Sequence, residues 1–129
     1  MQCSRCGKCC EKTEMELLNS DIRRLATLGF KPEEFISIHE GIPRLKNVNG
    51  FCYFYNVSKR ECKIYSKRPL GCRVYPVIYV EGVGPSIDKL CPMWHTVSYK
   101  EFKIKARVLR KILNRLNEER RKRLIEGER

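Results

Sequence analysis

Residues 50–76 predict two short β-strands that each present one cysteine; their sequence is GFCYFYNVSKRECKIYSKRPLGCRVYP. Asn49-Gly50, at its start, is the dipeptide typical of a tight hairpin turn. Side chains alternate between the two faces of a strand, so Cys52 and Cys62 each share a face with an apolar neighbour. We therefore expect both thiols to point toward the same site.

A second stretch, CSRCGKCC at residues 3–10, contributes four more thiols. Cys3, Cys6 and Cys9 are evenly spaced, and Cys10 follows directly. A structural zinc usually takes its ligands from two separated pairs, whereas three cysteines at this spacing are typical of runs that bind iron–sulfur clusters. The spacing favours a [4Fe-4S] cluster.

The other cysteines leave the ligand set open. Cys91 precedes a proline, as does the last cysteine of ferredoxin-type runs, and is therefore a candidate for a further ligand. Four thiols then remain, and they would form a structural zinc site, complete the cluster in place of Cys91, or lie buried as small apolar groups. These four are Cys10, Cys52, Cys62 and Cys72.

Basic and aromatic side chains accompany the cysteines. Arg68 and Arg73 bracket Cys72. Cations close to thiolates lower the thiol pKa and offset the negative charge of a thiolate-ligated cluster, so we assign both arginines as cofactor-binding residues. The alternative is that they are ordinary surface charges. An aromatic set would wall the site or form the core of the domain, and it comprises Tyr53, Phe54, Tyr55, Tyr65, Tyr75 and Trp94.

The composition indicates one domain in a reducing compartment. A chain of 129 residues has room for one modest core, and 8 cysteines suggest that metal supplements it. The sequence shows no export signal and no apolar run that would cross a membrane, which predicts a cytoplasmic protein with reduced thiols. A disulfide framework, as in intracellular proteins of hyperthermophiles, is the alternative.

From Ser98 onward the pattern becomes helical and strongly basic. Residues 98–129 hold 12 Lys and Arg against 5 acidic residues, while the net charge of the whole chain is +12. Ser98 and Glu101 fit a capping box. We expect this helix to cover the β-rich region of its own domain, with the run at 118–123 solvated and frayed. Its predicted apolar stripe comprises Tyr99, Phe102, Ala106, Leu109, Leu113 and Leu116.

These patterns predict an α+β fold: a small cysteine-rich metal-binding domain with short β-hairpins, short helices and a long C-terminal helix. We divide the chain into a cysteine-cluster domain over 1–97 and a basic amphipathic helix over 98–129. Further predicted elements are an extended segment over 13–17, a helix over 21–28 capped by Ser20, a short helix from 31–34, strands over 43–48 and 77–80, and a loop from Gly84-Pro85 to Cys91.

The clustered cysteines at 3–10, together with the stretch at 50–76, resemble the CxxCxxCC family, a zinc- or iron-chelating domain. The resemblance covers about residues 3–92. A flagellin lysine-N-methylase is similar in this cysteine-rich region and is understood to carry a [4Fe-4S] cluster. The resemblance implies a metal-ligand set comprising Cys3, Cys6, Cys9, Cys10, Cys52, Cys62 and Cys72, with Cys91 as the eighth.

Three functions follow as hypotheses. The first is a [4Fe-4S] protein with an electron-transfer or redox-accessory role and a redox protein as its partner. The second is a zinc-stabilised interaction module whose basic helix binds nucleic acid or an acidic protein; the tail lacks the interleaved aromatic side chains of a nucleic-acid platform. The third is an enzyme resembling the lysine methylase. No membrane partner is expected.

Overall fold

The structure, a computed structural model, describes residues 7–127, with only the backbone of Lys8. It has the predicted mixed α+β architecture of short helices, short hairpins and a long C-terminal helix. The helices are α1 (Asn19–Thr27), α2 (Pro32–Phe35), α3 (Leu70–Val74) and α4 (Tyr99–Gly127). The strands are β1 (Ile36–His39), β2 (Ile42–Leu45), β3 (Asn47–Val48), β4 (Phe51–Cys52), β5 (Tyr55–Asn56), β6 (Glu61–Cys62), β7 (Val77–Val80) and β8 (Gly84–Ile87).

The strands pair as four antiparallel hairpins, β1–β2, β3–β4, β5–β6 and β7–β8. The predicted tight turn between β3 and β4 is confirmed, because Asn49 and Gly50 both have positive φ, at 52° and 85°. Positive φ at both central residues is the conformation that Asn-Gly favours in a two-residue hairpin loop. This turn brings Cys52 opposite Asn47 in the register.

Two predicted strand boundaries are wrong. The strand expected over 43–48 is split, since β2 pairs with β1 and β3 pairs with β4. The loop expected from Gly84-Pro85 begins instead with β8, where Pro85 lies opposite Tyr79. In a two-stranded hairpin both strands are edges, and a proline is tolerated at an edge because no further strand needs its missing N–H.

The start of α1 differs from the predicted cap. The helix begins at Asn19, before Ser20, and the Asp21 carboxylate accepts a hydrogen bond of 3.0 Å from the Leu18 N–H. Asp21 is fully buried; it also accepts the Leu70 N–H at 3.1 Å and pairs with the Arg24 guanidinium at 2.9 Å. This one carboxylate therefore ties the start of α1 to the start of α3.

The interior consists of two apolar clusters. The first surrounds Phe35 and Phe54 and includes Leu17 and Cys52. The second contains Leu18 and lies between β7 and the inner face of α4. Leu17 and Leu18 are adjacent in the chain but pack in different clusters. The second cluster consists of Leu18, Val74, Val77, Ala106, Leu109, Ile112 and Leu116.

Helix α4 packs on its own domain, as predicted, and contacts α3, β7 and β8. Ser98 caps it by accepting the Glu101 N–H at 3.0 Å. The apolar stripe is largely correct, with two differences. Tyr99 is 74% exposed and lies outside the packed face, whereas Ile112, which the stripe omitted, is buried.

One side of the end of α4 is docked, so the expectation that the run at 118–123 frays is wrong, although Glu118, Arg121 and Lys122 are exposed as expected. Glu119 is only 9% exposed and accepts the Asn19 N–H at 2.7 Å. Arg120 donates to the Glu40 carbonyl at 2.7 Å, and Arg123 donates to the Gly41 carbonyl at 3.1 Å. These partners lie 80 or more residues away in the sequence, beyond the reach of a local pattern. Within residues 7–127, none of the helices has the length and apolar character needed to cross a membrane.

Candidate metal centre

Six cysteines from separate parts of the chain line a single cavity of about 170 Å³. Two come from the 3₁₀ turn Lys8–Cys10, and the others come from β4, β6, α3 and the loop after β8. The six are Cys9, Cys10, Cys52, Cys62, Cys72 and Cys91. The predicted ligands Cys3 and Cys6 lie outside the described residues.

The N-terminal turn is held close to the hairpins by backbone contacts. The Cys10 N–H donates to the Gly7 carbonyl at 3.0 Å, and the Lys12 N–H donates to the Gly50 carbonyl at 2.7 Å. Gly7 has a φ of 81°, and a Cβ at this position would lie 2.6 Å from Tyr55 Oη. Glycine is therefore required here both by the backbone conformation and by the close approach of the tyrosine ring.

The hairpins place Cys52 and Cys62 on the cavity wall, in agreement with the expectation that both face one site. Cys62 lies opposite Tyr55 in the β5–β6 register. Cys52 packs in the first core beside Phe54, which is fully buried. The alternation of side chains along β4 and β6 thus turns both thiols inward.

Cys91 reaches the cavity from a loop organised by Asp88. The Cys91 N–H donates to the Asp88 carbonyl at 3.3 Å, and the Asp88 N–H donates to the Pro76 carbonyl at 2.7 Å. The Tyr75 hydroxyl donates to the Asp88 carboxylate at 2.6 Å. Burial and this hydrogen bond raise the pKa of Tyr75, so the phenol stays protonated and keeps the loop in place.

Burial decides the protonation of most of the thiols. It raises the pKa of Cys52 to about 11 and also raises the pKa of Cys62 and Cys72. Cys9 differs, because a hydrogen bond with Cys10 lowers the pKa of Cys9 to about 7, and the same bond raises the pKa of Cys10. Metal ligands must be thiolates, so loading this cavity would release protons.

Of the two arginines assigned to cofactor binding, Arg68 lines the cavity and Arg73 is absent from its described lining. The Arg68 guanidinium stacks on the Tyr65 ring at 4.0 Å and donates to the Tyr65 carbonyl at 3.0 Å. Its charge opposes the effect of burial on the pKa of Cys72. Arg73 donates to the carbonyls of Arg68 and Ser66, at 3.1 and 3.2 Å. Arg73 thus supports the backbone that carries Arg68.

Several cavity residues were missed in the sequence. Arg60 and Glu61 line the cavity at the β5–β6 turn. Because Arg60 and Glu61 directly precede Cys62 in the chain, their position at the cavity could have been predicted from the sequence. The aromatic wall is present in part, since Phe54, Tyr55, Tyr65 and Tyr75 line the cavity, whereas Tyr53 and Trp94 are not among its described lining residues.

The donor set fits a soft metal, because six thiols and no imidazole line the described part of the cavity. Among residues 7–127, however, no three His, Cys, Asp or Glu side chains are arranged to hold a metal ion. The described thiols line the wall of one cavity, and Cys9 and Cys10 contact each other there.

Comparison with known proteins agrees with this donor set. A family model for CxxCxxCC, described as "Putative zinc- or iron-chelating domain", matches residues 2–107. The match continues past the end of the sequence resemblance at residue 92 and into α4.

An uncharacterized protein of Methanocaldococcus jannaschii is 32% identical over 80 residues, covering 57% of this chain and 43% of that protein. The chain thus spans less than half the length of this relative. No solved structure matches the chain.

Proposed function

This chain belongs to the CxxCxxCC family of zinc- or iron-chelating domains, and from that premise we propose that its cysteine cavity holds a [4Fe-4S] cluster. The cluster would serve electron transfer or support the redox chemistry of a protein partner. Such a role suits a reducing compartment, where thiols remain free to bind metal, and we propose the cytoplasm.

The observation that carries the proposal is the distribution of the thiols around a cavity of about 170 Å³. Thiols gathered on one cavity, together with the even spacing of Cys3, Cys6 and Cys9, favour a cluster over a single zinc ion, whose ligands usually come as two separated pairs.

The ligands would come from the evenly spaced N-terminal cysteines and from the cavity wall. Cys3, Cys6 and Cys9 have the spacing of cluster-binding runs, and Cys91 or another wall thiol would complete the set. Arg68, at the cavity, would offset the negative charge of the thiolate-ligated group. When bound, the cluster supplies one-electron transfer.

Zinc is the alternative occupant, because the family description names it alongside iron. A zinc-filled cavity would make the domain a structural scaffold, since zinc has no redox chemistry. The thiols of Cys10, Cys52, Cys62 and Cys72 would then be the candidate ligands.

Anaerobic purification followed by iron, sulfide and zinc analysis tests the proposal. We expect brown protein with about four irons and four acid-labile sulfides per chain. Colourless protein with stoichiometric zinc and no sulfide would refute the cluster and establish the alternative.

Single Cys→Ser variants at the wall then identify the ligands. Cys91→Ser and Cys52→Ser remove one thiol each, and a ligand variant should lose most of its iron. Ile64→Val is the matched control, because Ile64 is 5% exposed and lines the same cavity but carries no thiol. Equal iron loss in the control would assign the effect to packing instead of ligation.

A further inference from the structure

The outward side of α4 carries two groups of cations, one before Asn114 and one after Glu118. Eight Lys and Arg side chains of α4 are exposed; seven of them lie within a sector of about 120°, which we call the basic face, and Arg115 lies just beside it. Within residues 7–127 none of them makes an ion pair or a side-chain hydrogen bond. The basic face comprises Lys100, Lys103, Arg107, Arg110, Lys111, Arg121 and Lys122.

The acidic residues of α4 leave the basic face largely uncompensated. Glu101 pairs with Lys105 at 2.9 Å, on the flank of the helix. Glu119 turns inward and accepts the Asn19 N–H. Glu118 alone is an exposed carboxylate within the sector of the basic face, so the face keeps a strong positive potential.

The same geometry argues against a membrane or a protein as the partner. An interfacial helix needs a free apolar face, but α4 buries its own against the domain through Ala106, Leu109 and Leu116. Protein interfaces have an apolar centre depleted of charge. The exposed apolar residues of α4 are Tyr99, Ile104, Val108, Leu124 and Ile125; Ile125 lies within the basic face and Ile104 at its edge, and the seven cations outnumber them.

The dimensions fit a DNA duplex. From Lys100 to Lys122 the helix rises about 33 Å. Arg110 and Lys122 are about 120° apart around the axis, so cations border both sides of the face. The B-form major groove, about 12 Å wide, accepts a helix between two phosphate rows, whereas the A-form groove is too narrow.

We propose that the basic face of α4 binds double-stranded DNA through its phosphate backbone, without sequence preference. Lys and Arg side chains neutralise phosphates, and Asn114 and Asn117, both exposed on the same side, supply neutral donors to phosphate or sugar oxygens. The surface is separate from the cysteine cavity, so the inference does not depend on which metal is bound.

Fluorescence anisotropy with a labelled 30-base-pair DNA duplex tests the proposal on the full, metal-loaded chain. We expect measurable binding at 50 mM salt that weakens steeply as salt is raised, because each phosphate contact releases a counterion. The triple variant Lys103→Gln, Arg107→Gln, Arg110→Gln should weaken binding at least about 30-fold at 0.1 M salt. It should also reduce the slope of log affinity against log salt by roughly three.

The matched control is Lys31→Gln, Lys59→Gln, Lys63→Gln, which removes the same charge from exposed positions outside α4. It should retain most of the affinity and the slope. Circular dichroism and metal content should be unchanged in both variants, which would show that each variant is folded.

Equal weakening by the two triple variants would overturn the proposal, because net charge alone would then explain binding. Failure of the wild-type chain to bind the duplex at 50 mM salt would also overturn it. So would binding only to an RNA duplex, to acidic protein, or to phosphatidylserine vesicles.

Discussion

Replacing Gly7 with alanine should destabilise the protein beyond the usual effect of a lost glycine. Gly7 has a φ of 81°, and the new Cβ would lie 2.6 Å from Oη and 2.8 Å from Cζ of Tyr55. The left-handed conformation costs an alanine about 1–2 kcal/mol, and the overlap with a ring adds about 1–3 kcal/mol. We therefore expect a total loss of about 2–5 kcal/mol in the free energy of unfolding.

Gly29→Ala separates the two contributions. Gly29 also has a positive φ, of 99°, but a Cβ there would meet nothing within 4 Å. This control should therefore lose only the backbone part, about 1–2 kcal/mol. Urea unfolding of both variants, metal-free and fully reduced, gives the difference directly.

Equal destabilisation by the two substitutions would refute the close packing of the cysteine-bearing turn against Tyr55. The metal content of the two variants provides a second readout. If Gly7 positions Cys9 and Cys10 on the cavity, Gly7→Ala should reduce metal loading while Gly29→Ala leaves it unchanged.

Three further predictions concern buried polar groups. Asp21→Ala should lower the free energy of unfolding by about 3–5 kcal/mol, because the buried Leu18 and Leu70 N–H groups lose their acceptor and Arg24 loses its carboxylate partner. A loss below about 1 kcal/mol in urea unfolding would contradict this. Burial raises the folded-state pKa of Cys52 from 9.0 to about 11, so this thiol contributes its full share to the stability of the metal-free protein below pH 9. As the pH rises to 11, the free energy of unfolding should fall by roughly 2 kcal/mol. Urea midpoints that stay flat over this range in wild type, or that fall equally in Cys52→Ala, would count against it. Glu119→Ala should lower the free energy of unfolding by about 1–2 kcal/mol, because the Asn19 N–H loses its acceptor. The control Glu118→Ala, at an exposed position, should be nearly neutral; thermal unfolding of both variants measures the difference.

Features that depend on neighbouring residues were predictable from the sequence. The Asn49-Gly50 turn follows from the conformations that these two residues accept, and alternation along β4 and β6 placed Cys52 and Cys62 on the same cavity. The capped start of α4 at Ser98 is likewise a local signal. The fold class was therefore accessible before any coordinates.

Features that depend on distant partners were not predictable. The docking of Glu119 rests on an N–H 100 residues away. The role of Asp21 has no local signal, because its contact with Leu70, 49 residues downstream, has no signature in either segment. The strand that contains Pro85 was missed because proline argues against a strand unless the strand is known to be an edge.

The division of the interior between Leu17 and Leu18 gives the molecule two regions that can open separately. Local opening occurs in cooperative units that follow packed clusters, and each cluster here has its own set of side chains. The first cluster includes or contacts Cys10, Cys52, Cys62 and Cys72, while the second carries α4. Opening the first alone would expose the thiols to an incoming metal or a delivery protein while α4 stays folded, so the centre can be filled without unfolding the whole chain.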